Sequence, residues 1–313
     1  MSAHPAATPS SGALNRRAAL ASVTMATLLL GLKGYGAVVT GSVAMLASLA
    51  DTLLDLVASL VTLYGVHIAA KRADEEHRFG HGKAESLAAL FQTMLIGASA
   101  IAIAVRAALA LIDATPAGSP EAGIAVSVIA AAATILLLGY QRAVIATTRS
   151  LAIGADYLHY QSDLALNAAV VVALLLQRYT GFTRADALFG LAIALWLGWG
   201  AWSSARHAID QLMDREWPEA KRRAFLDVAA TIPALSGMHD LRTRSSGAHD
   251  FAQFHMVLPA ETSVGTAHDV MDDVEARLVA AFPGLELIIH PDPIGHVEPE
   301  GALPAAIAER SEI

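Results

Sequence analysis

The stretch from Ser42 to Ala70 (SVAMLASLADTLLDLVASLVTLYGVHIAA) constrains this chain more than any other. About 20 apolar residues in a helix cross a bilayer, and this run is longer than that. It nevertheless carries Asp51 and Asp55 near mid-depth. A charged residue at the centre of a membrane helix costs roughly 2.5–3.5 kcal/mol on an insertion scale, so aspartates there need a partner. Their i, i+4 spacing puts both carboxylates on one helix face, about 5–6 Å apart at Cβ. Two anions that close repel unless protons or a cation lie between them. The stretch reads as a membrane helix shaped to receive something positive.

The remainder agrees with a membrane chain. Of 313 residues, 55% are hydrophobic and 16% charged, against about 45–50% and about 25% in ordinary soluble domains. The net charge of −8 arises mostly in the last hundred residues, and no basic patch for nucleic acid emerges. Cysteine is absent, which excludes disulfides and thiolate metal sites. Any metal must be held by His, Asp and Glu.

Residues 1–15 are small and polar and read as a disordered tail. The apolar run that follows Asn15-Arg16-Arg17 reaches Thr40, too long for a signal-peptide core of about 7–15 residues. It reads as the first span, with Lys33 snorkelling toward the outer interface. Further spans fall near 42–70, 84–112, 122–142, 152–177 and 185–205, with turns at Gly41-Ser42, Thr115-Pro116-Ala117-Gly118 and Thr180-Gly181. Six spans return the chain to its starting side. Arg16, Arg17, Lys71, Arg72, Arg78, Lys83, Arg142, Arg149, Arg206 and Arg215 fall on that side; only Arg106, Arg178 and Arg184 fall opposite. By the positive-inside rule both termini are cytoplasmic.

The composition changes after Asp214. A helical pattern opens at Trp217-Pro218-Glu219 and runs through Ala230, with Pro in its first turn. Met238–Thr243 and Phe251–Leu258 read as strands joined by Ser245-Ser246-Gly247. Ala267–Phe282 has helical period, and Leu285–Ile289 is a short apolar strand. The expected architecture is an all-α, six-helix transmembrane domain over 16–208. A small α+β domain of ferredoxin-like kind follows over 209–298, and 299–313 form a tail.

Span five holds the counterpart of the opening stretch, Asp156-Tyr-Leu-His159-Tyr-Gln-Ser-Asp163, in which His159 and Asp163 are again i, i+4. At about 1.5 Å per residue, Asp51 and Asp55 lie about 13–20 Å below the start of span two. His159 and Asp163 lie about 10–17 Å above the start of span five. Both pairs sit near the middle of a core about 30 Å thick. Packed together, the two helices offer three carboxylates and one imidazole at one level, a set suited to tetrahedral Zn²⁺ and its neighbours. A fully occupied tetrahedron leaves no open position for catalytic water, and HExxH is missing. A closed site at mid-membrane suits a cargo ion rather than an enzyme. A second cluster, Asp74, His77 and His81, lies between spans two and three, where Gly80 lets the chain fold around an ion. The third lies in the last domain, rich in histidine, where His290 and Asp292 at i, i+2 share a strand face.

The pairs Asp51/Asp55 and His159/Asp163, together with DxLHYQSD and the loop Asp74-Glu-Glu-His77-Arg-Phe-Gly-His81-Gly-Lys83-Ala-Glu85, resemble the cation diffusion facilitator family. The resemblance runs from Arg16 to about Val297 and implies a homodimer with a metallochaperone-like cytoplasmic domain. It implies efflux of divalent cations in exchange for protons across a bacterial inner membrane, with no organic cofactor. By position, the transport site is Asp51, Asp55, His159 and Asp163, and the loop site is Asp74, His77 and His81. The cytoplasmic two-metal site is His239, His255, His268, His290 and Asp292, with Asp292 bridging. Lys83 and Asp214 would form an ion pair between the domains. His67, His249 and His296 match no family ligand. Zn²⁺ is the expected cargo and regulatory ion, and the ligand set also admits Cd²⁺ and Fe²⁺. The rival reading is a membrane-anchored metal sensor or assembly scaffold, but an anchor has no need of costly mid-membrane acids.

Overall fold

The computed structural model describes residues 11–40, 43–113, 124–180, 184–247 and 249–295. The turns expected at 41–42, 115–118 and 181, most of the N-terminal tail, the tail 299–313 and His296 lie outside the described residues. The chain divides into two compact units, Met1–Ile209 and Asp210–Ile313.

Among the described residues, the first unit holds six long helices: α1 (Ser11–Thr40), α2 (Val43–Ala69), α3 (Ala84–Asp113), α4 (Ile124–Thr148), α5 (Leu151–Thr180) and α6 (Ala185–Leu212). Among the described residues, five of them are long and apolar enough to cross a membrane. The sixth, α5, carries Asp156, His159, Gln161 and Asp163 in its first half. Several helices outrun the expected spans: α1 begins at Ser11, α4 continues to Thr148 and α6 to Leu212. Apolarity marks only the part that lies in hydrocarbon. Backbone hydrogen bonding carries a helix on into the polar ends, where nothing in the sequence breaks it.

Small side chains let these helices approach closely. Ala18 and Ala19 of α1, Val66 of α2, Ala88 of α3, Val144 of α4 and Ala152 and Ile153 of α5 form one buried cluster. A Cβ at Gly65 would lie 2.4 Å from that of Ala88, so α2 and α3 meet where only glycine fits. Ile96 and Ala100 of α3 pack with Leu197 and Ala201 of α6, with Leu158 of α5 against them. Leu28, Leu54, Ile101, Leu136 and Leu195 point outward, as lipid contact requires. The link from α4 to α5 is tight. Arg149 takes a left-handed conformation (φ 53°) and its N–H bonds the Ile145 carbonyl at 2.8 Å, closing α4. Ser150 Oγ then accepts from the Ile153 N–H, opening α5.

The second unit holds α7 (Glu219–Ala229), a single 3-10 turn (Pro233–Leu235), β1 (His239–Ser246), β2 (His249–Leu258), α8 (Val264–Ala281) and β3 (Leu285–Pro293). Pro218 precedes α7, and Ser263 caps α8 by accepting from the Thr266 N–H. The sheet order is β1-β2-β3, β1 antiparallel to β2 and β3 parallel to β2 through the α8 crossover. Phe225, Leu235, Met238, Phe254, Met256 and Leu278 are fully buried between sheet and helices. The strands are longer than their apolar cores. β3 runs on through Pro291 and Pro293, which an edge strand tolerates because one side of its ladder is unpaired.

Candidate metal sites

Among the described residues, three groups of His and Asp bring ligand atoms within 4.8 Å of one another: Asp55, His159 and Asp163; Asp74, His77 and His81; His239, His255 and Asp292. The first lies between α2 and α5. His159 Nε2 is 3.0 Å from Asp55 Oδ1 and 3.8 Å from Asp163 Oδ2. Ligand bonds to zinc are about 2.0–2.2 Å, so shifts of well under a helical turn would close these atoms on an ion. Asp51, one turn earlier on α2, is exposed and stands outside the group.

Polar groups behind this site orient α5. Asp156 is fully buried and accepts from Gln141 Nε2 at 2.7 Å and Gln92 Nε2 at 3.4 Å. Gln141 Nε2 also reaches Ser22 Oγ at 3.0 Å. Tyr160 Oη donates to the Ser22 carbonyl at 3.1 Å and lies 3.0 Å from Ser59 Oγ. α1, α2, α3 and α4 thus all grip the turn of α5 that carries His159. Nearer the helix ends, buried Glu85 accepts from Asn15 Nδ2 at 2.9 Å and Ser150 Oγ at 2.6 Å, joining the starts of α1, α3 and α5. Lys33 does not snorkel toward the outer interface. Its Nζ donates to Thr52 Oγ1 at 2.6 Å, because that hydroxyl is a buried partner within reach of the long stem. The only trace of these contacts in the sequence is polarity at helical spacing inside apolar runs.

The second group sits in the loop 70–83. His77 Nδ1 lies 3.4 Å from Asp74 Oδ1, and His81 Nε2 lies 3.3 Å from Asp74 Oδ2. The two rings are 4.5 Å apart. Gly80, at φ 76°, makes the turn that folds His81 back, a conformation costly for other residues. The His77 backbone N–H, donating at 2.7 Å, holds the Asp74 carboxyl below its ordinary 3.8. The Glu76 N–H adds to this, and the shift keeps Asp74 anionic as a metal ligand requires.

In the third group the sheet does the arranging. His239 pairs with His255 across β1 and β2, and His255 with His290 across β2 and β3. The three imidazoles form one row. Asp292, 4% exposed, lies beneath them. Its Oδ2 is 2.7 Å from His255 Nδ1 and 3.3 Å from His239 Nε2, and its Oδ1 is 3.4 Å from His290 Nε2. A carboxylate facing histidines with both oxygens can serve two ions. His268 stands apart: on the exposed face of α8 it pairs with Asp272 at 3.1 Å. Asp240, at the β-bulge with φ 48°, comes within 3.7 Å of His255 Nε2, a position that no spacing in the sequence signals. Its side chain reaches the row only because the bulge re-aims it. His67 and His249 are exposed, away from all three groups. Asp214 bonds Arg244 at 3.4 Å within the second unit.

A bundle of membrane-length helices that gathers imidazole and carboxylate at mid-length, followed by an α+β domain with a histidine row, defines an integral membrane protein that handles metal cations. The family model described as "Cation efflux transmembrane domain" matches residues 19–213, and that of "Cation efflux protein, cytoplasmic domain" matches residues 217–294. The cation-efflux pump FieF of Salmonella newport (strain SL254) is 45% identical over 290 residues, 93% of this chain and 96% of that protein. FieF of Salmonella choleraesuis (strain SC-B67) is 44% identical over the same length. A solved structure of CzrB in its Zn form is 38% identical, covering 28% of this chain and 99% of that one, with TM-score 0.24. The chain belongs to the cation efflux family, the cation diffusion facilitators, and is a membrane transporter rather than an enzyme.

Proposed function

We propose that this protein exports Zn²⁺ in exchange for protons, by alternating access to a site formed by Asp51, Asp55, His159 and Asp163. The observation that carries the reading is the convergence of Asp55, His159 and Asp163 between α2 and α5, at mid-length in helices whose other faces are apolar. Three carboxylates and one imidazole form a hard-to-borderline set that suits zinc, with Cd²⁺ and Fe²⁺ as alternatives. Asp51 stands one turn from Asp55, so a small rotation or shift of α2 would complete the tetrahedron.

Ligands must be deprotonated to bind metal, so loading expels protons and protonation expels metal. His159, the one imidazole of the set, is the natural carrier of that exchange. Inward protons gain about 2.3 kcal/mol per charge per 100 mV. In this reading the chain lies in a bacterial inner membrane with both termini cytoplasmic and works as a homodimer. Asp74, His77 and His81 take metal at the membrane surface. His239, His255, His290 and Asp292 hold regulatory zinc, joined by His268 if α8 shifts, and the ions tighten the dimer. Their donor set, imidazole nitrogen with a carboxylate that faces two sides, fits zinc. Lys83 and Asp214 would tie the two domains.

The test is zinc uptake into proteoliposomes driven by an imposed pH gradient. Asp55→Ala should abolish it while leaving the purified protein folded. Uptake at the parental rate would remove the site from the mechanism.

A further inference from the structure

Lys33 has no place in the ligand set, yet its ammonium ends on the residue that follows Asp51 in α2. Nζ donates to Thr52 Oγ1 at 2.6 Å, and Thr52, 1% exposed, follows Asp51 directly in α2. The contact puts a fixed positive charge at the depth of the transport ligands. A fixed cation held on the residue next to Asp51 opposes loading of a cation site, and in a membrane interior that opposition is weakly screened.

Charge balance supplies the reason. Asp51, Asp55 and Asp163 carry three negative charges, and one ammonium leaves two, the charge of a single dication. A loaded site that counts Lys33 is neutral and crosses the bilayer interior without the penalty of an unpaired charge. Without Lys33 the same loaded site keeps one negative charge and holds the metal harder.

We propose that Lys33 is a specificity-determining residue of the transport site, whose fixed charge matches the ligand set to one divalent cation and keeps the bound ion releasable. This rests on the assignment of Asp51, Asp55, His159 and Asp163 as the transport ligands. The role belongs to the charge, and the hydrogen bond to Thr52 only places it.

Charge and hydrogen bond can be separated by substitution. Initial rates of Zn²⁺ uptake into proteoliposomes are measured for Lys33→Met, Lys33→Gln, Lys33→Arg and Asp55→Ala at one pH and gradient. Lys33→Met and Lys33→Gln should both lower KM by about tenfold or more and lower kcat, whereas Lys33→Arg should stay near the parent. A disturbed site would raise KM, so the expected sign is opposite to that of structural damage. Parental kinetics in Lys33→Gln would show that the hydrogen bond, not the charge, is what matters, and would overturn the proposal. An unchanged or raised KM in both neutral variants would do the same. So would failure of both neutral variants to insert while Lys33→Arg inserts, which would make the charge structural. If Asp55→Ala transports like the parent, the site assignment itself fails. If Asp55→Ala is inactive and the neutral variants keep the parental KM, only the role of Lys33 fails.

Discussion

His159 lies near two carboxylates at once, Asp55 at 3.0 Å and Asp163 at 3.8 Å, and is the one imidazole in its group. Exchanging it for oxygen should move preference toward harder ions. His159→Asp is expected to lower the ratio of zinc to manganese uptake in metal-resolved transport, and an unchanged ratio would count against His159 as a ligand. Asp74 makes a second prediction at this scale. Its carboxyl lies below the ordinary 3.8 because the His77 N–H, above all, stabilises the anion. For a depressed value, the stabilisation of the loop is present above 3.8 and is lost as pH falls through the lower folded value. A carboxyl-carbon titration of metal-free protein should put the Asp74 midpoint below 3.8. A midpoint at or above it would mean that the turn at Gly80 does not form in solution.

Between elements, the decisive contacts are small and polar. Gly65 leaves no room for a side chain against Ala88, and the Ala84 carbonyl would lie 3.1 Å from an added Cβ. Gly65→Ala should therefore push α2 off α3 and cost about 1–3 kcal/mol, seen as a lower thermal midpoint in detergent. Adding Ala88→Gly should recover part of the loss, since the two sites share one contact. Asp156 binds α5 to α4 through Gln141 and to α3 through Gln92. Asp156→Ala would leave the Gln92 amide buried without this acceptor and Gln141 with Ser22 alone, a cost of about 1–3 kcal/mol. Asp156→Asn keeps an oxygen acceptor and should lose less. Equal midpoints for the two variants would show that the network does not hold α5.

For the whole molecule, the two units have separate cores, one of membrane helices and one around Phe225, Phe254 and Met256. Ending the chain after Asp214 should leave Asp55-dependent zinc uptake detectable while raising the zinc concentration needed for activation and weakening the dimer. Loss of all uptake with an intact helical spectrum would mean that the second unit takes part in transport itself. Chelation of metal should loosen the second unit more than the first. His239, His255, His290 and Asp292 would then face one another without an ion, whereas the helices keep their lipid-facing surfaces.

The membrane helices, the α+β domain and the pairing of candidate ligands along each element were legible in the sequence because they depend on local signals. Apolar length reports a span, i, i+4 spacing puts Asp51 with Asp55 and His159 with Asp163, and alternation puts His290 with Asp292. Which partners meet across elements was not legible there. The row of His239, His255 and His290 depends on strand register, and the separation of His268 depends on where α8 crosses the sheet. The gap between Asp51 and its expected partners, like the turn of Lys33 inward to Thr52, depends on helix rotation and packing. Spacing along a chain determines which side chains share a face; only packing between faces determines what each face meets.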